Sequence, residues 1–166
     1  MMLRASVIAV SGLAIVAVCI SPRAIPSLVW NATPSAPVGL YAVMPERRYA
    51  RGELVLVHTP ESVRMLAAER HYIPATVPLV KRIAATAGDE ICASNMGISI
   101  NGSIVATRLG TDSRGRALPV WSGCRMLGKD DVFLLMKDVR DSFDGRYFGA
   151  VSVSSIIGRV SPLWIH

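Results

Sequence analysis

The sequence predicts a mainly β domain behind one apolar N-terminal helix, with one short additional helix. Three observations predict it. A charge-free apolar run opens the chain. Short Val-, Leu- and Ile-rich segments bounded by Pro, Gly or Asn recur after residue 38. Beyond the N-terminus only residues 61–70 carry a helical apolar period. At 166 residues the chain is the size of one domain, or of one domain plus an anchor. Its mean hydropathy of +0.41 is high for a soluble domain, and part of the excess sits in the first run. What remains still supplies a core, which excludes a disordered chain.

The first element is Ala5 to Ile20, ASVIAVSGLAIVAVCI, with Arg4 before it and Ser21-Pro22-Arg23 after it. About 20 apolar residues cross a bilayer and ~17 is near the lower limit, so this run reads as a transmembrane anchor. A cleaved secretory signal and a buried core helix are the alternatives. No A-x-A site follows the run, and Val18 before Cys19 is not the small residue a lipoprotein site needs. Arg4 favours a cytoplasmic N-terminus and Arg23 opposes it. Ile25, Leu28, Val29 and Trp30 continue the apolar character and suit the membrane interface. Residues 1–30 are therefore read as anchor and interfacial linker, and residues 31–166 as the folded domain.

Strands are expected at 39–44 (GLYAVM) and 53–58 (ELVLVH), bounded by Pro45 and Pro60. Pro60 then opens the helix, where Val63, Leu66 and Ala67 share a face. Further strands are expected at 78–85 (PLVKRIAA) and 90–93. Residues 98–100 and 104–106 flank Asn101-Gly102, the strongest hairpin signal in the chain. Residues 111–117 are polar and loop-like, 132–136 form an apolar strand, 138–149 form a charged irregular segment, and 154–165 form the last strand.

The net charge of +6 suits nucleic acid or an anionic membrane surface. The positive residues are scattered, with Arg47, Arg48 and Arg51 the only tight group, and no aromatic-and-basic stripe exists. Nucleic acid is therefore not expected as a partner, and membrane lipid is. No CxxC occurs, and His58, His71 and His166 lack ligand spacing, so no metal or cofactor is expected. Cys92 and Cys124 can pair if the domain lies outside the cytoplasm.

Three segments carry chemistry. In Thr33-Pro34-Ser35-Ala36-Pro37, two prolines hold Ser35 in a stiff extended loop beyond the anchor. A serine between prolines is by itself an ordinary loop residue. In Leu79-Val80-Lys81-Arg82-Ile83, strand alternation sends Lys81 inward when Arg82 is solvated. Burial lowers a lysine pKa, and a neutral lysine can take a serine proton. The alternative is Lys81 on the wet face or paired to an acid. Residues 138–149, DVRDSFDGRYFG, read either as a solvated salt-bridged loop or as a shell that supports a neighbouring site. A Ser-His-Asp triad is disfavoured, because no GxSxG elbow is present and His58 alone is a candidate histidine.

In this order, these segments resemble the signal peptidase family of Ser-Lys proteases. The nearest subgroup is the TraF type of conjugative-transfer peptidase, which matures pilus subunits. The likeness covers Pro34–Tyr41, Pro78–Ala85 with Gly88-Asp89, residues 141–149, and Ile157–Trp164. It implies an antiparallel β catalytic domain on the outer, periplasmic face of the bacterial inner membrane, with a single-pass anchor. That location also allows a Cys92–Cys124 disulfide. The resemblance makes Ser35 the nucleophile and Lys81 the general base. It makes the Thr33 hydroxyl and the Ser35 N–H the oxyanion donors, and Ser142, Asp144 and Arg146 the residues that support the lysine. One residue fewer separates Asp141 from Asp144 than in general signal peptidases. The implied substrate is an exported, pilin-like precursor bound as an extended peptide, and its acyl-enzyme is resolved by water or, in cyclisation, by a substrate amine. A general type I signal peptidase and a non-enzymatic anchored assembly factor are the rival readings.

Overall fold

The computed structural model describes residues 25–46, 48–95 and 97–166. The expected anchor lies outside these residues. Among the described residues no helix is long and apolar enough to cross a membrane. The elements, in order, are β1 (Leu28–Asn31), β2 (Gly39–Met44), β3 (Leu54–Val57), α1 (Glu61–Glu69), β4 (Leu79–Ala85), β5 (Glu90–Ser94), β6 (Gly97–Ile100) and β7 (Ser103–Ala106). They continue with β8 (Gly123–Met126), β9 (Asp131–Leu134), α2 (Gly145–Phe148), β10 (Val151–Ser152), one 3-10 turn and β11 (Ile156–Ile165).

Two antiparallel sheets result. The larger runs β1-β2-β11-β3-β4-β9-β10 and the smaller runs β7-β6-β5-β8. Apolar residues cover both faces of the larger sheet. Val55, Val57, Leu79 and Ile83 pack with Ala67 of α1 on one side. Leu56, Val80, Tyr41 and Val43 form a second cluster on the other. This two-sided burial is why β3 reads as a continuous apolar run instead of an alternating one. The smaller sheet has its own core of Ile91, Ala93 and Ile98, joined by Phe133 and Leu135.

The expected strands, the helix and the Asn-Gly hairpin are present. Asn101 and Gly102 have φ of 50° and 79°, the left-handed pair that a tight hairpin requires. β10 and the 3-10 turn before β11 are additional, and so are three further elements. β1 buries only Asn31 fully, so it carries no apolar alternation, and it draws Leu28–Trp30 out of the expected linker and into the sheet. β8 is exposed at all four positions. It is held to β5 by the Cys92–Cys124 disulfide, whose residues lie directly opposite each other in the register. α2 sits inside the charged 138–149 segment, so the domain has two helices where one was expected.

Candidate active site

The site is built from the loop between β1 and β2. Asn31 ends β1 and is buried, and its carboxamide shapes the residues that follow. Its Nδ2 donates to the carbonyls of Thr33 at 2.9 Å and of Ala36 and Pro37 at 3.0 Å each. Its Oδ1 accepts the Thr33 N–H at 3.2 Å and the Thr33 hydroxyl at 2.9 Å. The buried Tyr41 hydroxyl adds a bond to the Pro37 carbonyl at 2.7 Å. The loop so held presents Ser35 half-buried, with its Oγ 3.2 Å from Thr33 Oγ1. Sequence reasoning missed Asn31. The signal available was an Asn just before a Pro-rich loop, where an amide side chain can bond nearby backbone groups.

β4 brings the second group. Arg82 is exposed, and Lys81 points the other way with 2% of its surface accessible. Lys81 Nζ donates to Ser35 Oγ at 2.9 Å and to Ser142 Oγ at 2.9 Å. Burial strips water from the ammonium and lowers its pKa to about 8. The charge of Asp144 works against that shift and the charge of Arg146 adds to it.

Ser142 reaches the lysine because the 136–146 segment is tied down from behind. The Leu135 N–H donates to the Arg82 carbonyl, which docks the segment on β4. Asp144 caps α2, its carboxylate accepting the N–H of Arg146 at 3.1 Å and of Met136 at 3.0 Å. The Arg146 guanidinium is 1% exposed and donates to the carbonyls of Met136, Val139 and Arg140 at 2.6, 2.8 and 2.7 Å. Its Nε lies 3.5 Å from Asp144 Oδ1. The segment is not a solvated loop: Ser142, Asp144 and Arg146 are all buried. The shorter Asp141–Asp144 spacing does not prevent the Ser142 contact.

A cleft of about 260 Å³ opens over these groups. Ser35, Lys81 and Ser142 line it together with Tyr72, Phe143 and Tyr147. Its wall is the 107–122 loop, pinned by Asp112. That carboxylate accepts from the Tyr72 hydroxyl, the N–H groups of Arg114 and Arg116, and Arg116 Nε. The Tyr72 hydroxyl and the other donors hold the Asp112 carboxyl well below the usual carboxylate range. Thr33, Ser35, Lys81 and Ser142 thus converge, while Asp144 and Arg146 lie behind them and bond to the backbone of 136–146. His58 is exposed and lines a different groove with Thr59 and Ser155, so it offers no triad. Among the described residues one group could offer several metal-ligand atoms, Glu90 with Cys92 and Cys124, and its two sulfurs are in the disulfide.

Comparison with known proteins follows the same lines. The family model described as signal peptidase, peptidase S26 matches residues 1–165. A plasmid transfer protein TraF of Escherichia coli is 38% identical over 144 residues, covering 80% of each chain. A conjugal transfer protein TraF of Agrobacterium fabrum is 31% identical over 144 residues, covering 81% of this chain and 80% of its own. The crystal structure of a signal peptidase I from Enterococcus faecalis aligns with 69% of this chain at a TM-score of 0.41 and 16% identity.

Proposed function

Since the chain belongs to the signal peptidase family, we propose that it is a serine endopeptidase in which Ser35 is the nucleophile and Lys81 the general base. One observation carries this reading: the Ser35 Oγ to Lys81 Nζ contact of 2.9 Å, made by a buried lysine whose pKa is brought down to about 8. A lysine so placed is neutral in an accessible range of pH and can accept the serine proton.

The substrate is an exported precursor, and the TraF relatives favour a conjugative pilin precursor, bound extended beside the cleft in the manner of β-augmentation. Ser35 Oγ adds to the scissile carbonyl carbon while its proton passes to Nζ. The Ser35 N–H, with the Thr33 hydroxyl as the second candidate, faces the developing oxyanion, where one donor is worth ~3 kcal/mol. Lys81 returns the proton to the leaving amine as the C–N bond breaks. Water then hydrolyses the acyl-enzyme, or a substrate amine closes a ring. Ser142 accepts a second hydrogen bond from Nζ, and Asp144 and Arg146 hold the backbone of the segment that carries Ser142. The apolar run Ala5–Ile20 anchors the enzyme in the inner membrane, and the catalytic domain works on the periplasmic side.

Co-expression with the pilin-like precursor tests the reading. The wild type is expected to shorten the precursor, and Ser35→Ala and Lys81→Ala to leave it at full mass. A product lighter by one further water indicates cyclisation. Continued processing by a folded Ser35→Ala variant sinks the Ser-Lys mechanism.

A further inference from the structure

We infer that the hairpin of residues 110–118 is the specificity wall of the cleft, and that Arg70, Tyr72, Asp112 and Arg116 latch it where it excludes bulky substrate side chains. The inference rests on the Ser-Lys reading above.

Residues 110–118 close on themselves. Thr111 and Ala117 form a β-bridge. The Leu118 N–H donates to the Gly110 carbonyl at 3.0 Å, and the Asp112 N–H to the Arg116 carbonyl at 2.9 Å. Gly115 makes the turn at a φ of 75°. The Asp112 carboxylate braces the turn, accepting the N–H groups of Arg114 and Arg116 at 2.9 Å each and Arg116 Nε at 2.7 Å. All these bonds are local, so they give the hairpin its shape and not its place.

Its place comes from the end of α1. The Tyr72 hydroxyl donates to Asp112 Oδ2 at 2.5 Å. Arg70 Nη1 donates to the Ala117 carbonyl at 2.7 Å, and Arg116 Nη2 to the Arg70 carbonyl at 3.2 Å. The Arg116 guanidinium carbon lies 5.6 Å from the centre of the Tyr72 ring. The helix end is shaped for these contacts. His71 takes a φ of 59°, a left-handed value that costs energy for a residue with a Cβ. The Tyr72 N–H bonds back to the Ala67 carbonyl at 2.9 Å and the His71 N–H to the Ala68 carbonyl at 3.0 Å. This pair of bonds reverses a chain at a helix C-terminus. After the reversal the Tyr72 ring packs on Phe143, at 5.2 Å between centres, while its hydroxyl meets Asp112.

The hairpin contributes Asp112, Ser113 and Leu118 to the same cleft that Ser35 and Lys81 line. Rejecting a side chain by its size needs a wall that does not yield. The flanks of the hairpin are tied separately: Trp121 Nε1 donates to the Gly145 carbonyl at 2.9 Å, and Arg108 Nη1 to the Trp121 carbonyl at 2.6 Å. Breaking the latch therefore frees the hairpin and leaves its flanks held.

Kinetics on the full chain test this, with the pilin-like precursor as substrate. The mass of the wild-type product locates the cleaved bond, and Phe is then placed at each of the three residues before it in turn. The wild type is expected to cut at least one of these precursors about a hundredfold less efficiently than the native one. Tyr72→Phe, which loses only the hydroxyl, should shrink that penalty about tenfold, with the gain in KM. Arg70→Ala, at a residue that does not line the cleft, should shift the penalty the same way. Both variants should be cut faster by trypsin at Arg114 or Arg116, a readout that needs no activity. Equal efficiency on all four precursors in the wild type overturns the proposal, and so does an unchanged penalty in Tyr72→Phe. Relief in Tyr72→Phe but not in Arg70→Ala overturns the latch, since Tyr72 would then act as a direct contact. Unchanged trypsin cleavage in both overturns it too. Leu118→Ala, which trims the wall and leaves the latch bonds in place, carries the test if the latch variants misfold: an unchanged penalty there overturns the wall. A Ser35→Ala chain that still processes precursor sinks the Ser-Lys reading, whereas an inert Ser35→Ala chain with an unchanged penalty in Tyr72→Phe sinks only the wall.

Discussion

Lys81 sits among conflicting demands. Removal from water disfavours its charge, Asp144 and Asp141 favour it, Arg146 disfavours it, and the balance falls at about 8. Below that pH the amine holds its proton and cannot accept another from Ser35. The rate governed by kcat/KM is therefore expected to rise with pH through an acid limb centred near 8 and to level off above it. A flat profile from pH 6 to 9 in the wild type would rule out Lys81 as a neutral base. This residue was legible because alternation is simple: once Arg82 is wet, its neighbour must face in. Ser35 was legible only through the family resemblance, since nothing in a proline-flanked serine distinguishes a nucleophile from a loop residue. Asn31 was not legible from local pattern. Its partners are backbone carbonyls in a loop whose shape the residue itself creates, and carbonyls leave no mark in a sequence.

At the scale of elements, the 136–149 segment shows how a charged stretch can be interior. Arg146 meets three main-chain carbonyls, and Asp144 meets two main-chain N–H groups. Charge alternation in the sequence fits a solvated loop equally well, because the decisive partners are again backbone atoms. α2 escapes any periodicity window, being four residues long. Gly145 is constrained there: a Cβ would come within 2.6 Å of the Leu134 carbonyl oxygen and of the Phe133 ring. Asp144→Ala removes the α2 cap and leaves a buried guanidinium uncompensated. It is expected to cost about 3–5 kcal/mol, read as a lower midpoint in urea, with loss of the Ser142–Lys81 alignment. A midpoint within the error of the wild type would mean that the Asp144–Arg146 pair is not structural.

For the molecule as a whole, the disulfide closes a stretch that contains β6, β7 and the cleft wall. Reduction, or Cys92→Ser, is expected to lower stability by about 3 to 4 kcal/mol for a separation of 32 residues. It should also speed tryptic cleavage at Arg114 and Arg116, because β8 is an exposed edge strand and the loop before it loses its covalent tie to β5. Equal trypsin resistance with and without a reductant would show that the wall stands without the staple. The local elements of this architecture could be read from the sequence, and the hairpin at Asn101-Gly102 could be read down to its turn. The order of strands could not, because pairings between distant segments leave no local pattern.

That order has a bearing on how the protein is made. β11 lies between β2 and β3, so the strand leading from Ser35 and the strand pair that carries Lys81 become parts of one sheet through β11. A ribosome delivers β11 after every other element described here. Ser35 and Lys81, 46 residues apart in the chain, thus lack their shared scaffold throughout the earlier part of synthesis. A site arranged in this way is expected to stay unassembled until β11 has been synthesised.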